Sequence, residues 1–393
     1  MDEALKPIAE KVYAGQRLSF EDGLTLLRTR DVWTLGELAA TVRQRLHSRR
    51  TYYNINRHLN YTNLCALSCK FCSFYRKKGQ DGVYEYSVER IAQEASAAAQ
   101  AGATEMHIVG GLHPWLPFSY YTDMLGAIRQ AAPQLHIKAF TAVEIVHLAR
   151  ISKRPRDIRG VLLDLQAAGL GSLPGGGAEV FDDRVHDQAF KGKIRSDQWL
   201  QVHHIAHELG LMTNATILYG HIESLEDRVH HLCLLRDAQD QAIQRDHPGR
   251  FQTVIPLPFI PDNSELEHLY GPTGLDDLKM LAVCRLMLDN FPHIKSFWIM
   301  QTLPLTQMAL DWGVDDVDGT VAWYDITKVG GTGTHQEADV PTLRRLIRQA
   351  GYEPIERDTL YRRVVRNGAS WSVVNESLSP HPSAEASVAS GVC

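Results

Sequence analysis

Asn63-Leu-Cys65-Ala-Leu-Ser-Cys69-Lys-Phe-Cys72 packs three cysteines into a Cys-x3-Cys-x2-Cys run. Three thiolates on one tight loop match three corners of a cubane [4Fe–4S] cluster. They leave the fourth iron without a protein ligand, open to a small molecule that brings an amine and a carboxylate. A structural zinc site takes four ligands and usually draws on pairs of Cys-x2-Cys. A second such pair is absent from the sequence, and His58, the nearby residue able to serve as a fourth ligand, would close the site. An odd number of clustered cysteines in a chain of cytosolic character also argues against disulfides. Cys233, Cys284 and Cys393 are scattered. The first two stand in apolar helical stretches and are expected in the core.

Outward from this loop the chain alternates strand and helix. A first strand is predicted at Tyr52–Asn56, immediately before the cysteines. Further strands are predicted at Met106–Gly111, His136–Val143, Gly171–Pro174, Met212–Tyr219, Phe251–Phe259, Ser296–Met300 and Gly319–Val321. Helices fall between them, with Ser196 as the expected N-cap of one that runs to Leu209. Repeated βα units give a parallel sheet with right-handed crossovers. Seven or eight of them predict an α/β fold of the (β/α)8 TIM-barrel type, with chemistry at the C-terminal strand ends. Residues 1–50 read as an N-terminal helical extension, with a helix start at Ser19 or Phe20 and a capping box from Thr34 to Glu37. Residues 51–322 are the expected barrel core. Residues 323–366 are an extension packing on it, and 367–393, rich in Ser, Ala and Pro, an expected disordered tail. The 393 residues, 44% hydrophobic, suffice for one large core. A net charge of −5 without a basic stripe argues against a nucleic-acid partner. The absence of a long apolar run argues against a membrane, and the N-terminus carries no signal-peptide pattern. Together with an oxygen-sensitive cluster, this makes the cytoplasm the expected compartment.

Several strand ends carry chemistry-bearing residues. Gly110-Gly111-Leu-His113 lets backbone approach a ligand closely. Thr141-Ala-Val-Glu144 ends a strand with an acid. Leu173-Pro-Gly-Gly-Gly-Ala-Glu179 is a close-approach loop without the Lys-Ser/Thr of a phosphate-binding P-loop. Tyr219-Gly220-His221-Ile-Glu223 suits either a ligand or a helix start. Asn214 and Thr216 share a parity that points them into the barrel. Arg57 and Arg76 flank the cysteine loop and are candidates for bidentate pairing with a carboxylate. His203 and His207, four residues apart on a helix, are expected to form a solvent-facing stripe rather than a metal site.

These motifs, with Asn60-Tyr-Thr-Asn63 before the cysteines and Phe74-Tyr-Arg76 after them, resemble one branch of the radical SAM superfamily. That branch holds the futalosine-route menaquinone enzymes and the deazaflavin (FO) synthases. Within it the runs His107–Pro114, Lys138–Ile145, Asn214–Glu223 and Asp318–Val321 look most like the aminofutalosine synthase family. The related cyclic dehypoxanthinyl futalosine synthases carry a Ser-Pro-Pro-Glu type run where this chain has Thr141-Ala-Val-Glu144. The resemblance spans 52–366. It implies that Cys65, Cys69 and Cys72 hold a [4Fe–4S] cluster. It implies that Gly110, Gly111, Glu179, Asn214, Gly220 and Glu223 contact S-adenosylmethionine, a consumed co-substrate. It also implies a transferase that adds the 5′-deoxyadenosyl group to 3-[(1-carboxyvinyl)oxy]benzoate, giving aminodeoxyfutalosine. The alternative is the cyclase or a deazaflavin-synthase subunit. Arg57, Arg76, His113 and Glu144 are the substrate-contact candidates. A flavodoxin or ferredoxin type reductant is the implied electron donor.

Replacing Cys65, Cys69 or Cys72 singly by Ala is expected to abolish turnover and lower iron content, whereas Cys233→Ala and Cys284→Ala keep near-full iron. Colorimetric iron analysis after anaerobic reconstitution checks this, and wild-type iron in any of the first three variants contradicts it.

Overall fold

The computed structural model describes residues 2–321, 337–368 and 370–380. Its strands are β1 (Arg50–Asn54), β2 (Asn56–Leu59), β3 (Glu105–Ile108), β4 (His136–Ala139), β5 (Ser172–Leu173) and β6 (Met212–Tyr219). They continue with β7 (Phe251–Pro258), β8 (His293–Ile294), β9 (Asp316–Gly319), β10 (Glu353–Glu356), β11 (Arg362–Asn367) and β12 (Ser370–Ser377). Strands β2 to β8 lie side by side in sequence order as one seven-stranded sheet, parallel throughout. A second parallel sheet has the order β10-β1-β9.

The two sheets meet at β9. Asp316 bridges Lys295, just past β8, and also pairs with Tyr52 of β1. At its far end, Val321 N donates to Asn56 Oδ1 at 2.8 Å and Thr320 Oγ1 to Asn56 O at 3.1 Å. The chain after β8 therefore returns to the start of β2, and β9 fills the eighth place of the expected barrel.

The helices follow from capped, amphipathic segments. Val88–Gln100 starts under Ser87, whose side chain accepts from Arg90 N. Leu225–Gln244 and Gly274–Met287 start in capping boxes at Ser224/Asp227 and Thr273/Asp276. The N-terminal helices Phe20–Arg28 and Val32–His47 pack on Gly274–Met287. Ser19 is the N-cap of the first, in a capping box with Asp22. The buried Arg43 donates to Val314 O, Ser48 O, Arg50 O and Thr51 Oγ1. It ties the N-terminal extension to β1 while satisfying a charge that burial alone would not tolerate. Among the described residues, no helix is long and apolar enough to cross a membrane.

Several expected boundaries move. The first predicted strand is two, divided at Ile55, because β1 pairs with β9 and β10 while β2 pairs with β3. The strand predicted at Ser296–Met300 is instead the short helix Trp298–Gln301. Gln301 Oε1 accepts from Ser296 Oγ and Phe297 N and turns the chain there. The strand predicted to reach Val143 ends at Ala139, because the Thr141/Glu144 capping box opens a helix over Ala142–Ile151. Asp31, not Thr34, caps Val32–His47, and Arg195, not Ser196, is the N-cap of Ser196–Glu208. The tail expected to be disordered from 367 opens with β12, which pairs antiparallel with β11. The run that begins at Trp323 and the last part of the tail lie outside the described residues.

Gly319 shows how tight the closure is. A Cβ there would sit 2.3 Å from Asn56 Oδ1 and 2.5 Å from Asn54 Oδ1. Gly319→Ala is expected to cost about 1–3 kcal/mol as an overpacked junction, read as a lower thermal midpoint. An unchanged midpoint contradicts this account of closure.

Candidate active site

The cysteine run follows β2 with no regular structure of its own, so neighbouring backbone must hold it. Ala66 N donates to Leu112 O at 2.8 Å, Cys65 N to Arg76 O at 3.1 Å and Lys70 N to Ala189 O at 2.8 Å. Lys77 Nζ caps the carbonyls of Cys65 and Leu67 at 2.9 and 2.8 Å. Gly111 N donates to Thr62 O, and Gly111 is pressed so close that a Cβ would stand 2.4 Å from Leu64 O. The second glycine of the pair is therefore required by the cysteine loop itself.

Cys65, Cys69 and Cys72 are free thiols that all line one cavity of about 290 Å³ inside the barrel. They fit a cubane better than zinc. Tetrahedral zinc–sulfur bonds of about 2.3 Å bring sulfurs to roughly 3.8 Å of one another. Among the described residues, the metal-ligating side chains whose ligand atoms all gather within 4.8 Å do not include these cysteines. Cys65 Sγ also accepts N–H bonds from Leu67 and Leu112, each 3.4 Å, the contacts that tune cluster sulfurs. Burial pushes the Cys69 thiol up to about 12, against the pull of Lys193. It raises Cys72 as well, opposed by backbone N–H groups of Tyr75 and Phe74. Both are thus protonated at neutral pH until a metal displaces the proton.

Around the thiols the cavity collects Gly110, Gly111, Glu144, Glu179, Asn214 and Thr216, six of the residues singled out from the sequence. Glu144 Oε1 accepts from Tyr61 Oη at 2.9 Å and Gly110 N at 3.1 Å, and Oε2 from Thr141 N and Oγ1. It pins the glycine turn to the helix after β4, Ala142–Ile151. Burial pushes its carboxyl up to about 7, while these hydrogen bonds pull it back. Glu179, in a left-handed conformation at φ 47°, pairs with Lys193. Burial works against the lysine's charge, and the charge of that glutamate outweighs it and raises the lysine.

Five expected contacts lie elsewhere. Arg57 faces a separate cleft with Tyr84, Tyr86 and Arg90. Arg76 donates to Ser73 O and Tyr75 O at 2.8 Å, bracing the cysteine loop. His113 is buried, with Nε2 2.6 Å from Glu85 and Nδ1 accepting from Trp115 N and Leu116 N. Glu223 closes a turn by accepting from Gly220 N and His221 N and pairs with Arg228. Gly220 and Glu223 are outside the cavity lining. His203 and His207, expected at the surface, are buried. His203 stacks on Trp199 at 3.8 Å and His207 Nε2 reaches Thr213 Oγ1 at 2.8 Å, because this helix turns that face onto β6 and β7.

The sequence assigns no substrate role to the cavity's polar floor: His58, His107, Lys138, Lys295 and Asp318. His58, His107 and Lys138 stand in register across β2, β3 and β4. The rings of His58 and His107 are 4.4 Å apart. Burial pushes His58 down to about 4 and His107 well below its usual range, so both are neutral. Lys138 Nζ lies 2.6 Å from Glu105 Oε1, and Lys295 Nζ donates to Asp318 Oδ1 at 3.2 Å. The available signal was a lysine in a strand buried on both faces, where charge is rare unless paired.

Comparison with known proteins agrees with this architecture. Residues 59–235 match the Radical SAM superfamily, and 249–368 match the CofH/MqnC C-terminal region. The aminodeoxyfutalosine synthase of Thermus thermophilus is 46% identical over 92% of this chain and 96% of its own length. The 5-amino-6-(D-ribitylamino)uracil–L-tyrosine 4-hydroxyphenyl transferase of Methanosphaerula palustris is 36% identical over 92% of this chain and 98% of its own. The crystal structure of methylornithine synthase superposes with a TM-score of 0.67 at 18% identity, covering 88% of this chain and 97% of that one, a likeness of fold. The chain thus belongs to the radical SAM superfamily, as an enzyme whose cofactors are a [4Fe–4S] cluster and S-adenosylmethionine, in the family that includes the aminodeoxyfutalosine synthases.

Proposed function

We propose that this enzyme is an aminodeoxyfutalosine synthase. It joins the 5′-deoxyadenosyl group of S-adenosylmethionine to the enol-ether carbon of 3-[(1-carboxyvinyl)oxy]benzoate, with aryl migration and loss of a carboxylate as CO2 or bicarbonate. The observation that carries the reading is the 46% identity to a synthase of that name along almost the whole of both chains. When bound, the cluster and S-adenosylmethionine supply the 5′-deoxyadenosyl radical. Cys65, Cys69 and Cys72 hold the cluster. The carbonyl-rich turn at Gly110-Gly111, braced by Glu144, meets the methionine moiety. Glu179, held by Lys193, and Asn214 serve the nucleoside side. The mostly apolar cavity lining limits water around a reactive species. An electron donor of the flavodoxin or ferredoxin type supplies the reducing electron.

The 4-hydroxyphenyl transferase relative, at 36% identity, supports a second reading, in which L-tyrosine and 5-amino-6-(D-ribitylamino)uracil are the substrates. Labelling separates the two. With 13C at the 5′ position of S-adenosylmethionine, the enol ether and dithionite under anaerobic conditions, the label is expected in a product that also contains the benzoate ring. Label leaving mainly as 5′-deoxyadenosine, with tyrosine and the uracil consumed in a parallel incubation, selects the second reading. Mass spectrometry reads both.

The glycine pair gives an independent check. Gly111→Ala places a Cβ against the Leu64 carbonyl, so the cysteine loop must shift. Iron content and S-adenosylmethionine affinity are expected to fall together. Full iron loading with weakened affinity alone would assign the glycine to the methionine moiety rather than to the loop.

A further inference from the structure

We propose that Lys138 and Lys295 form an anion-binding floor that fixes the ring carboxylate of the substrate. The inference rests on the reading that the substrate is the benzoate enol ether. Both lysines are only 3% exposed, yet both line the cavity. A buried ammonium must be paired, and each has its carboxylate: Glu105 for Lys138, Asp318 for Lys295. One carboxylate oxygen occupies one of an ammonium's three N–H donors. Glu105 is fully buried and does not line the cavity, so the Lys138 ammonium is the member of that pair presented to a ligand. His107, and His58 one strand beyond it, continue the same cross-strand row on one side of Lys138 as neutral imidazoles.

The surroundings suit an aryl carboxylate. Ile255, Leu257, Phe297 and Met300 supply apolar wall, where a ring can be buried, and the cations stand on the floor where its charged substituent would end. Asp318 is held in a left-handed backbone conformation at φ 56°, which few non-glycine residues adopt without a compensating contact. The cations expected from the sequence do not compete for this role. Arg57 and His113 lie outside the cavity, and Arg76 is spent on loop carbonyls.

A binding cycle tests the proposal. Affinities are measured anaerobically on cluster-loaded enzyme with S-adenosylmethionine and no reductant, so no turnover occurs. The probes are 3-[(1-carboxyvinyl)oxy]benzoate and 2-phenoxyprop-2-enoate, which lacks the ring carboxylate. In the wild type, losing that carboxylate is expected to weaken binding by about 30-fold or more, the range for breaking a buried charge pair. Lys138→Met alone would strand Glu105, so it is combined with Glu105→Gln. Lys295→Met is likewise combined with Asp318→Asn. In at least one double variant the enol ether is expected to bind as weakly as the analogue, while the analogue keeps its wild-type affinity. Full discrimination between the two probes in both double variants overturns the lysine floor while leaving the reaction intact. A wild-type enzyme that binds neither probe overturns the assigned reaction instead.

Discussion

Everything at this site depends on holding three thiols in place on a loop that has no secondary structure of its own. The loop cannot fold by itself, since it lacks the ladder that fixes a strand or helix. Its geometry is borrowed from the strand next door. Leu112 O, Arg76 O and Ala189 O each accept from its backbone N–H groups, and Gly111 lets the β3 turn approach to where any side chain would collide. Glu144 then ties that turn to the helix after β4 through Gly110 N. The cysteine loop, the glycine pair and the capping box are one mechanical unit, although they are 80 residues apart in sequence.

This explains what was legible in the sequence and what was not. Met212–Tyr219 is a run without a breaker bounded by Gly210 and Gly220, and β6 has those bounds. The cysteine spacing is a local covalent pattern, readable without a fold. The division at Ile55 was invisible, because two strands joined by a single residue keep the alternation of one, and only their partners differ. Thr141-Ala-Val-Glu144 reads equally as a strand end or a helix start. The tertiary position of Tyr61 and Gly110 decides it, since these give Glu144 two further partners besides its own cap. His203 and His207 look like a surface pair because polarity is the usual mark of the outer face. Here an aromatic stack with Trp199 and Phe251 compensates for burying them.

The candidate cations were misjudged for a related reason. Nearness in sequence to the cysteines favoured Arg57 and Arg76. Strand parity sends Arg57 to the opposite side from His58, and Arg76 is needed to satisfy carbonyls of an irregular loop. The two cations of the floor, Lys138 and Lys295, come from β4 and from just past β8, far apart in the chain, and only barrel closure brings them together.

That closure is itself part of the chemistry. Asp316 bridges Lys295 on one side and pairs with Tyr52 on the other, and its carboxylate is held below the usual range, burial being outweighed by Arg357 and Lys295. Two residues on, Asp318 meets the Lys295 ammonium. A β9 shifted by one residue would turn its side chains to the other face and withdraw Asp318 from the floor. The junction that completes the barrel therefore also sets the charge balance of the cavity. At the cysteine end burial raises the Cys69 and Cys72 thiols, while the floor carries two lysines and their carboxylate partners.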